Sequence, residues 1–258
     1  LYEDPEMEKI KYDQTEAGLV SQAQQLMITY QQSGYTMENL NRAKDLLNTQ
    51  YDAAVARQSV GAATAVDVLN AQKSVQDQEA AILSTQKSID NGHRTLCLML
   101  GWSSDAQPEI LPVPEPDLAR IDAMNPDADL ETAIANNYTI RYNEKKLGNL
   151  TSDRLIESTK ATIQSTKNSV ASGLKAQYNT VLTARDSLVT AQTQLLSAKA
   201  DLDTMAAKLA VGSATNLQYQ SAENAYVTAK NAVETAKLQL FLAMENYDWI
   251  VKGLVSSN

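Results

Sequence analysis

Only one pair of residues in this chain has the types and spacing for metal or nucleophile chemistry. His93 and Cys97 stand four apart, which on a helix places an imidazole and a thiol on one face. They are also the sole histidine and the sole cysteine of 258 residues. Two ligands without a nearby third make a poor metal site, and one histidine leaves little for general-base work. No Ser–His–Asp arrangement, paired carboxylates or glycine-rich phosphate loop stands out. A packed or lumen-facing pair is the better reading. The chain is therefore read as no enzyme, with no catalytic residue, no cofactor and no metal.

Composition points the same way. Aromatics make up 5% of residues, with a single Phe, so packing must rest on Leu, Val, Tyr and small side chains. The net charge of −9 leaves no basic patch for nucleic acid or an anionic bilayer. A lone cysteine forms no intrachain disulfide. No run of about 18 apolar residues exists to cross a membrane as a helix. The chain opens at Leu1 without a signal peptide, and a trimmed one is expected.

Proline divides the sequence. Five of six prolines (Pro108, Pro112, Pro114, Pro116 and Pro126) fall in one stretch, which reads as an extended connector because proline lacks an amide donor and clashes inside helices. The arms on either side carry a seven-residue repeat. Tyr219, Tyr226, Val233, Leu240 and Tyr247 form one column, with Ala222, Ala229, Ala236 and Ala243 beside it. Leu174, Val181, Leu188, Leu195, Leu202 and Leu209 form another. The matching columns of the first arm are Val68, Val75, Ile82, Ile89 and Leu96, and Leu19, Leu26, Leu40 and Leu47, broken at Ser33. Such repeats belong to helices that supercoil left-handedly, and alanine opposite large residues allows close approach. The fold expected is all-α: two long antiparallel coiled-coil hairpins. Helices are expected over Met7–Arg57, Thr64–Trp102, Asp129–Lys208 and Thr215–Lys252, the third a run of 80 residues that Gly148 or Gly173 could interrupt. Residues 1–103 form the first hairpin, 104–128 the linker and 129–258 the second hairpin. Trp102 and Trp249 are expected to close the hairpins at the ends away from the turns. Asp45, Asp52, Asp201 and Asp203 read as a solvated face, the functional alternative being an acidic lumen that favours cations.

The turns, at 58–66 and 209–217, are copies of one another. Val60, Gly61 and Thr64 recur as Val211, Gly212 and Thr215, always 151 residues later. Each glycine suits the left-handed residue that ends a helix. Thr64 and Thr215 then cap the return helices, with Asp67 or Gln218 as the reciprocal partner. Helix stop-and-start chemistry does not explain valines at solvent-exposed tips, nor a basic residue, Arg57 or Lys208, four positions before each glycine.

Here the sequence resembles a family. "ARQSVGAATAVDVLNAQ" is similar to the tip motif of TolC-like outer-membrane efflux proteins, and "KLAVGSATNLQYQSAE" to a degenerate second copy with Gln218 for the aspartate. "LCLMLGWSSDAQPEILPVP" and "NPDADLETAIANNYTIRYNEKKLGNL" resemble that family's helix end, proline-rich equatorial linker and following short helix. The resemblance implies an α-barrel protomer that assembles as a homotrimer (a monomer is possible for a form without the barrel). It also implies an extracytoplasmic location and tips that dock the hairpins of an adaptor protein. Arg57, Val60, Gly61, Thr64, Asp67 and Val68 would contact that adaptor, as would Lys208, Val211, Gly212, Thr215 and Gln218. The family carries β-strands between its helices, whereas residues 144–181 hold no alternating run of the roughly 10 residues that a barrel strand needs. No transmembrane β-barrel is expected, and an envelope without an outer membrane is the favoured setting. The function expected is a non-enzymatic efflux or secretion duct component. The alternative is an envelope spacer or surface coiled-coil protein that has lost transport.

Overall fold

The computed structural model describes residues 4–254 and contains seven helices among them. They are α1 (Pro5–Ser59), α2 (Ala65–Met99), α3 (Leu118–Ala123), α4 (Pro126–Asn136), α5 (Tyr138–Gly148), α6 (Asp153–Ala210) and α7 (Asn216–Val251). No strand occurs among the described residues.

Pairing across each hairpin fixes the register. Lys44 meets Glu79 at 2.9 Å and the Tyr30 ring lies 6.0 Å from that of His93, so each step back along α1 is matched by one forward along α2. The centre of that pairing falls between Gly61 and Ala62. In the second hairpin Tyr178 faces Tyr247 at 6.3 Å, and the Lys199 ammonium lies 5.9 Å from the Tyr226 ring. Their centre falls between Gly212 and Ser213, again 151 residues on. Both hairpins are thus antiparallel coils of the same design.

Burial follows the heptad columns. Leu174, Val181 and Leu188 are buried, as are Val233, Leu240 and Tyr247, with Ala236 and Ala243 beside them. Towards the turns Leu195, Leu202, Leu209, Tyr219 and Tyr226 become half-buried. The column of α1 departs from expectation, because Leu19 is 53% exposed while Ile10 and Ile28 are buried in its place. In that register Leu19 would pair with a residue beyond Met99, where α2 has already ended. The early turns of α1 pack instead against α5 and α7, through Lys145 on Glu6, Lys11 over Tyr142 and the Trp249 indole N–H donating to Gln24 at 2.7 Å. Trp249 accordingly ties α7 to the first hairpin. Trp102 lies past the end of α2, 47% exposed.

The expected helix over Asp129–Lys208 is three helices. Asn137 and residues 149–152 break it, whereas Gly173 does not interrupt α6. Asn137 is extended, with ψ 119, and its side-chain oxygen accepts from the Ile140 amide to start α5. Gly148 is the last residue of α5. The connector forms no helix or strand through its prolines up to Pro116, after which Asp117 caps α3 and Pro126 opens α4.

The chain divides into two compact units, each using part of both hairpins. One comprises residues 1–26, 114–186 and 238–258. Its core holds Ile121, Ala133, Ile140, Leu174, Leu240 and Met244. Asn137, 1% exposed, donates from its side chain to the Gly253 carbonyl at 3.2 Å, and the Tyr138 amide reaches the same oxygen. Gly253 sits at φ 106, and a Cβ there would fall 2.2 Å from the Asn136 carbonyl oxygen. The Tyr247 hydroxyl donates to Asp129 at 2.5 Å; burial first, and that bond second, push its phenol pKa well up. Arg120 of α3 pairs with Asp248 and, at 3.9 Å, with Glu245.

The other unit comprises residues 27–113 and 187–237. There Gln31 clamps the extended connector, donating to the Leu111 carbonyl at 2.9 Å and accepting from the Val113 amide at 3.1 Å. Buried Asn231 donates to Asn39 at 2.8 Å and to Glu38 at 3.1 Å, joining α7 to α1.

Two expectations follow for stability. Leu240→Ala should cost about 2–5 kcal/mol and Leu19→Ala under about 1 kcal/mol in urea unfolding, and equal costs would contradict the register. Gly61→Ala should cost about 1–2 kcal/mol for its left-handed backbone alone. Gly253→Ala should cost about 3 kcal/mol or more, because the added carbon also meets backbone.

Candidate functional site

The two reversals are the features that the sequence writes twice, and the structure builds them alike. Gly61 and Gly212 both have φ 73, a conformation that L side chains rarely adopt. At the first, the Gly61 amide donates to the Gln58 carbonyl at 2.9 Å and the Ala62 amide to the Arg57 carbonyl at 2.7 Å. At the second, Gly212 donates to Leu209 at 3.0 Å and Ser213 to Lys208 at 2.8 Å. This pair of bonds is the Schellman motif, which satisfies the last carbonyls of a helix.

The return helices start alike as well. The Asp67 amide donates to the Thr64 hydroxyl oxygen at 3.1 Å, while the Asp67 carboxylate accepts from the Thr64 amide at 2.8 Å. Gln218 and Thr215 repeat the exchange at 3.2 and 2.8 Å. Both reversals are therefore capped by backbone bonds on the incoming helix and by side chains on the return helix. Their outward groups remain unused by the fold, with Val60 76% and Val211 79% exposed.

The basic residues now have an explanation in part. The Arg57 guanidinium donates to the Ala62 carbonyl at 3.3 Å, closing the first turn from outside. At the second turn a hydroxyl does comparable work, since Ser213 Oγ donates to the Lys208 carbonyl at 3.1 Å. Thr64, Asp67, Thr215, Gln218, Arg57 and Lys208 are all exposed, whereas Val68 is half-buried in its heptad column. Sequence reasoning missed Val66 and Leu69, which are 63% and 61% exposed beside the first turn. The available signal was that both are apolar residues outside the buried column. The first turn thus combines three exposed apolar side chains with an arginine and an aspartate. The second presents Val211 with a lysine and a neutral amide.

His93 and Cys97 do share a helix face, with Sγ 3.9 Å from Nδ1. The thiol is buried and also faces the Ala106 carbonyl at 3.8 Å, and Tyr30 flanks the imidazole. Among the described residues no third histidine, cysteine or carboxylate joins them. Asp45, Asp52, Asp201 and Asp203 lie exposed on the helix surfaces, the last bonded to Lys199 at 2.5 Å. No helix is long and apolar enough to cross a membrane among the described residues.

The two turns should respond differently to acid. The Thr64 amide and then the Thr64 hydroxyl hold the Asp67 carboxyl below the ordinary carboxylate range, and the Arg57 charge adds to this. A lowered pKa means that the cap's contribution is present above the ordinary range and is lost as pH falls through the lowered value. The NMR shift of the Thr64 amide should therefore titrate with a midpoint below that of a free aspartate, while the Thr215 amide, facing Gln218, stays still. A Thr64 midpoint at or above the free value would contradict the box.

No protein-family model matches the sequence, and neither does any curated protein. Solved structures do match. The outer membrane protein VceC of Vibrio cholerae superposes with a TM-score of 0.58 at 15% identity, over 96% of this chain and 72% of that one. CusC, whose structures concern folding and transmembrane channel formation, gives 0.68 at 13% identity, over 91% and 77%. The CmeC outer membrane channel of Campylobacter jejuni gives 0.62 at 12% identity, over 98% and 66%. The chain thus has the helical fold of the TolC-like outer-membrane channels that its turns and linker resemble, in a form with no β-strand among the described residues.

Proposed function

We propose that this chain is a non-enzymatic duct component of an exporter in the cell envelope. Its two reversals dock the helical hairpins of an adaptor protein, and copies of the chain assemble as a homotrimer around the conduit. The reading extends the hairpin division at 1–103 and 129–258, each half ending in one docking tip. A single observation carries it: two reversals 151 residues apart share one capped backbone geometry and leave a valine more than three-quarters exposed at each. A turn needed only to reverse the chain has no use for such a valine, because burying it elsewhere would be worth about 1.5–3 kcal/mol. Exposed apolar side chains on a rigid, self-satisfied turn are what a partner interface uses.

A Cβ added at Gly61 or Gly212 meets nothing within 4 Å, so a bulky residue there spares the helix packing and acts on the turn alone, through its outer surface and the strain of a left-handed backbone. Gly61→Trp with Gly212→Trp should abolish binding to the helical hairpins of an adaptor protein, while far-UV circular dichroism stays unchanged. Undiminished binding by the doubly substituted chain would remove the proposal. The spacer reading has its own motive, the short loop at 149–152 where strands would enter in the resembling family. It predicts no solute conductance and no change in solute sensitivity when the protein is deleted.

A further inference from the structure

A second candidate site lies between α1 and the end of α7, in the unit that does not contain the reversals. It is a groove of about 530 Å³, within the roughly 300–1,000 Å³ of small-molecule sites. Its lining carries no charged residue, in a chain where 21% of residues are charged. Ten residues line it, so about two charges would be expected from composition alone.

The polar groups that do line it are of one kind. Gln14, Gln22 and Gln25 of α1 and Asn246 of α7 bring four carboxamides, with Ser21 between them. A carboxamide offers two donors and an acceptor with two lone pairs, so this rim both gives and takes hydrogen bonds without carrying charge. The three glutamines are exposed, and Gln25 lies 3.5 Å from Asn246 across the groove. Beneath the rim lie Leu242, Trp249, Ile250 and Leu254. The indole is held in place, its N–H donating to Gln24 and the Lys252 ammonium 4.9 Å from its ring centroid. A fixed aromatic wall costs no ordering entropy on binding. Gly18 lines the same groove, and a Cβ there would meet nothing within 4 Å, so the space above it is open.

This chemistry selects a ligand class. A phosphate, nucleotide or amino-acid zwitterion would find no charged residue in the lining, and the one ammonium nearby, that of Lys252, is engaged on the indole ring. A wholly apolar ligand would leave the carboxamides it covers without hydrogen-bond partners. What remains is a neutral molecule with many hydroxyls on one side and C–H surface on the other. We infer that the groove between α1 and α7 binds an uncharged saccharide, its hydroxyls on the carboxamide rim and its C–H face against the apolar floor. The inference does not depend on docking at the reversals.

The experiment uses the Trp102→Phe chain, in which Trp249 is the only tryptophan and reports on the groove by fluorescence. It is titrated with N,N′-diacetylchitobiose, cellobiose and maltose at millimolar concentration. A saturable change with at least one of them is expected. Gly18→Phe fills the open space, and circular dichroism checks its fold; binding should then be lost. Asn246→Leu keeps the branched outline of the side chain and removes a carboxamide, and should weaken binding about tenfold. Absence of a saturable change with all three disaccharides would overturn the inference. So would unaltered binding by both groove variants, which would place the sugar elsewhere.

Discussion

The antiparallel pairing of helices in heptad register is the constraint on which the rest depends. Large residues in one column face alanines in the next, so the helices approach closely and bury Leu174, Val181 and Leu240 completely. Because the pairing in each hairpin is centred on its glycine, the register and the reversal fix one another. A one-residue slip would move the columns off the seam and the glycine off the apex together. The same constraint explains where the pattern fails, since Leu19 loses its column once α2 has ended and α1 turns a different face to α5 and α7.

Helix ends are the second organising feature. Gly61, Gly101, Gly212 and Gly253 are the described residues with positive φ, and each closes a long helix with the same two backbone bonds. Shared geometry does not make the four equivalent. Gly61 and Gly212 stand in open space, where the fold asks nothing more of them and a partner surface is free to form. Gly253 is pressed against the Asn136–Asn137 peptide, where it lets the α4–α5 junction seat on the end of α7. Gly101 ends α2 and releases the chain into the proline connector, which Gln31 then grips through its backbone.

The two reversals agree in backbone and differ in charge. An aspartate is replaced by glutamine without loss of the reciprocal hydrogen bonds, because either side chain supplies an acceptor oxygen at the same reach. The two turns thus share a shape and differ in electrostatics. The first turn carries Arg57, Asp67 and the exposed Val60, Val66 and Leu69; the second carries Lys208 and the neutral Gln218.

The sequence by itself determined the all-helical class, the two reversals, their capping residues and most of the buried columns. Each of these rests on local chemistry or on a period that repeats many times, as with Thr64 and Asp67 three residues apart or Leu174 through Leu209 seven apart. Tertiary structure alone decided the break at Asn137, since the asparagine that caps α5 is held by a hydrogen bond from its side-chain amide to the Gly253 carbonyl, far away in the sequence. It decided too that Trp249 bonds to Gln24, that Val66 and Leu69 stay outside the seam, and that an uncharged groove opens between α1 and α7. These features join residues more than a hundred positions apart, or depend on which helix runs out first. A heptad records that a face will be covered, but not by what, nor for how long.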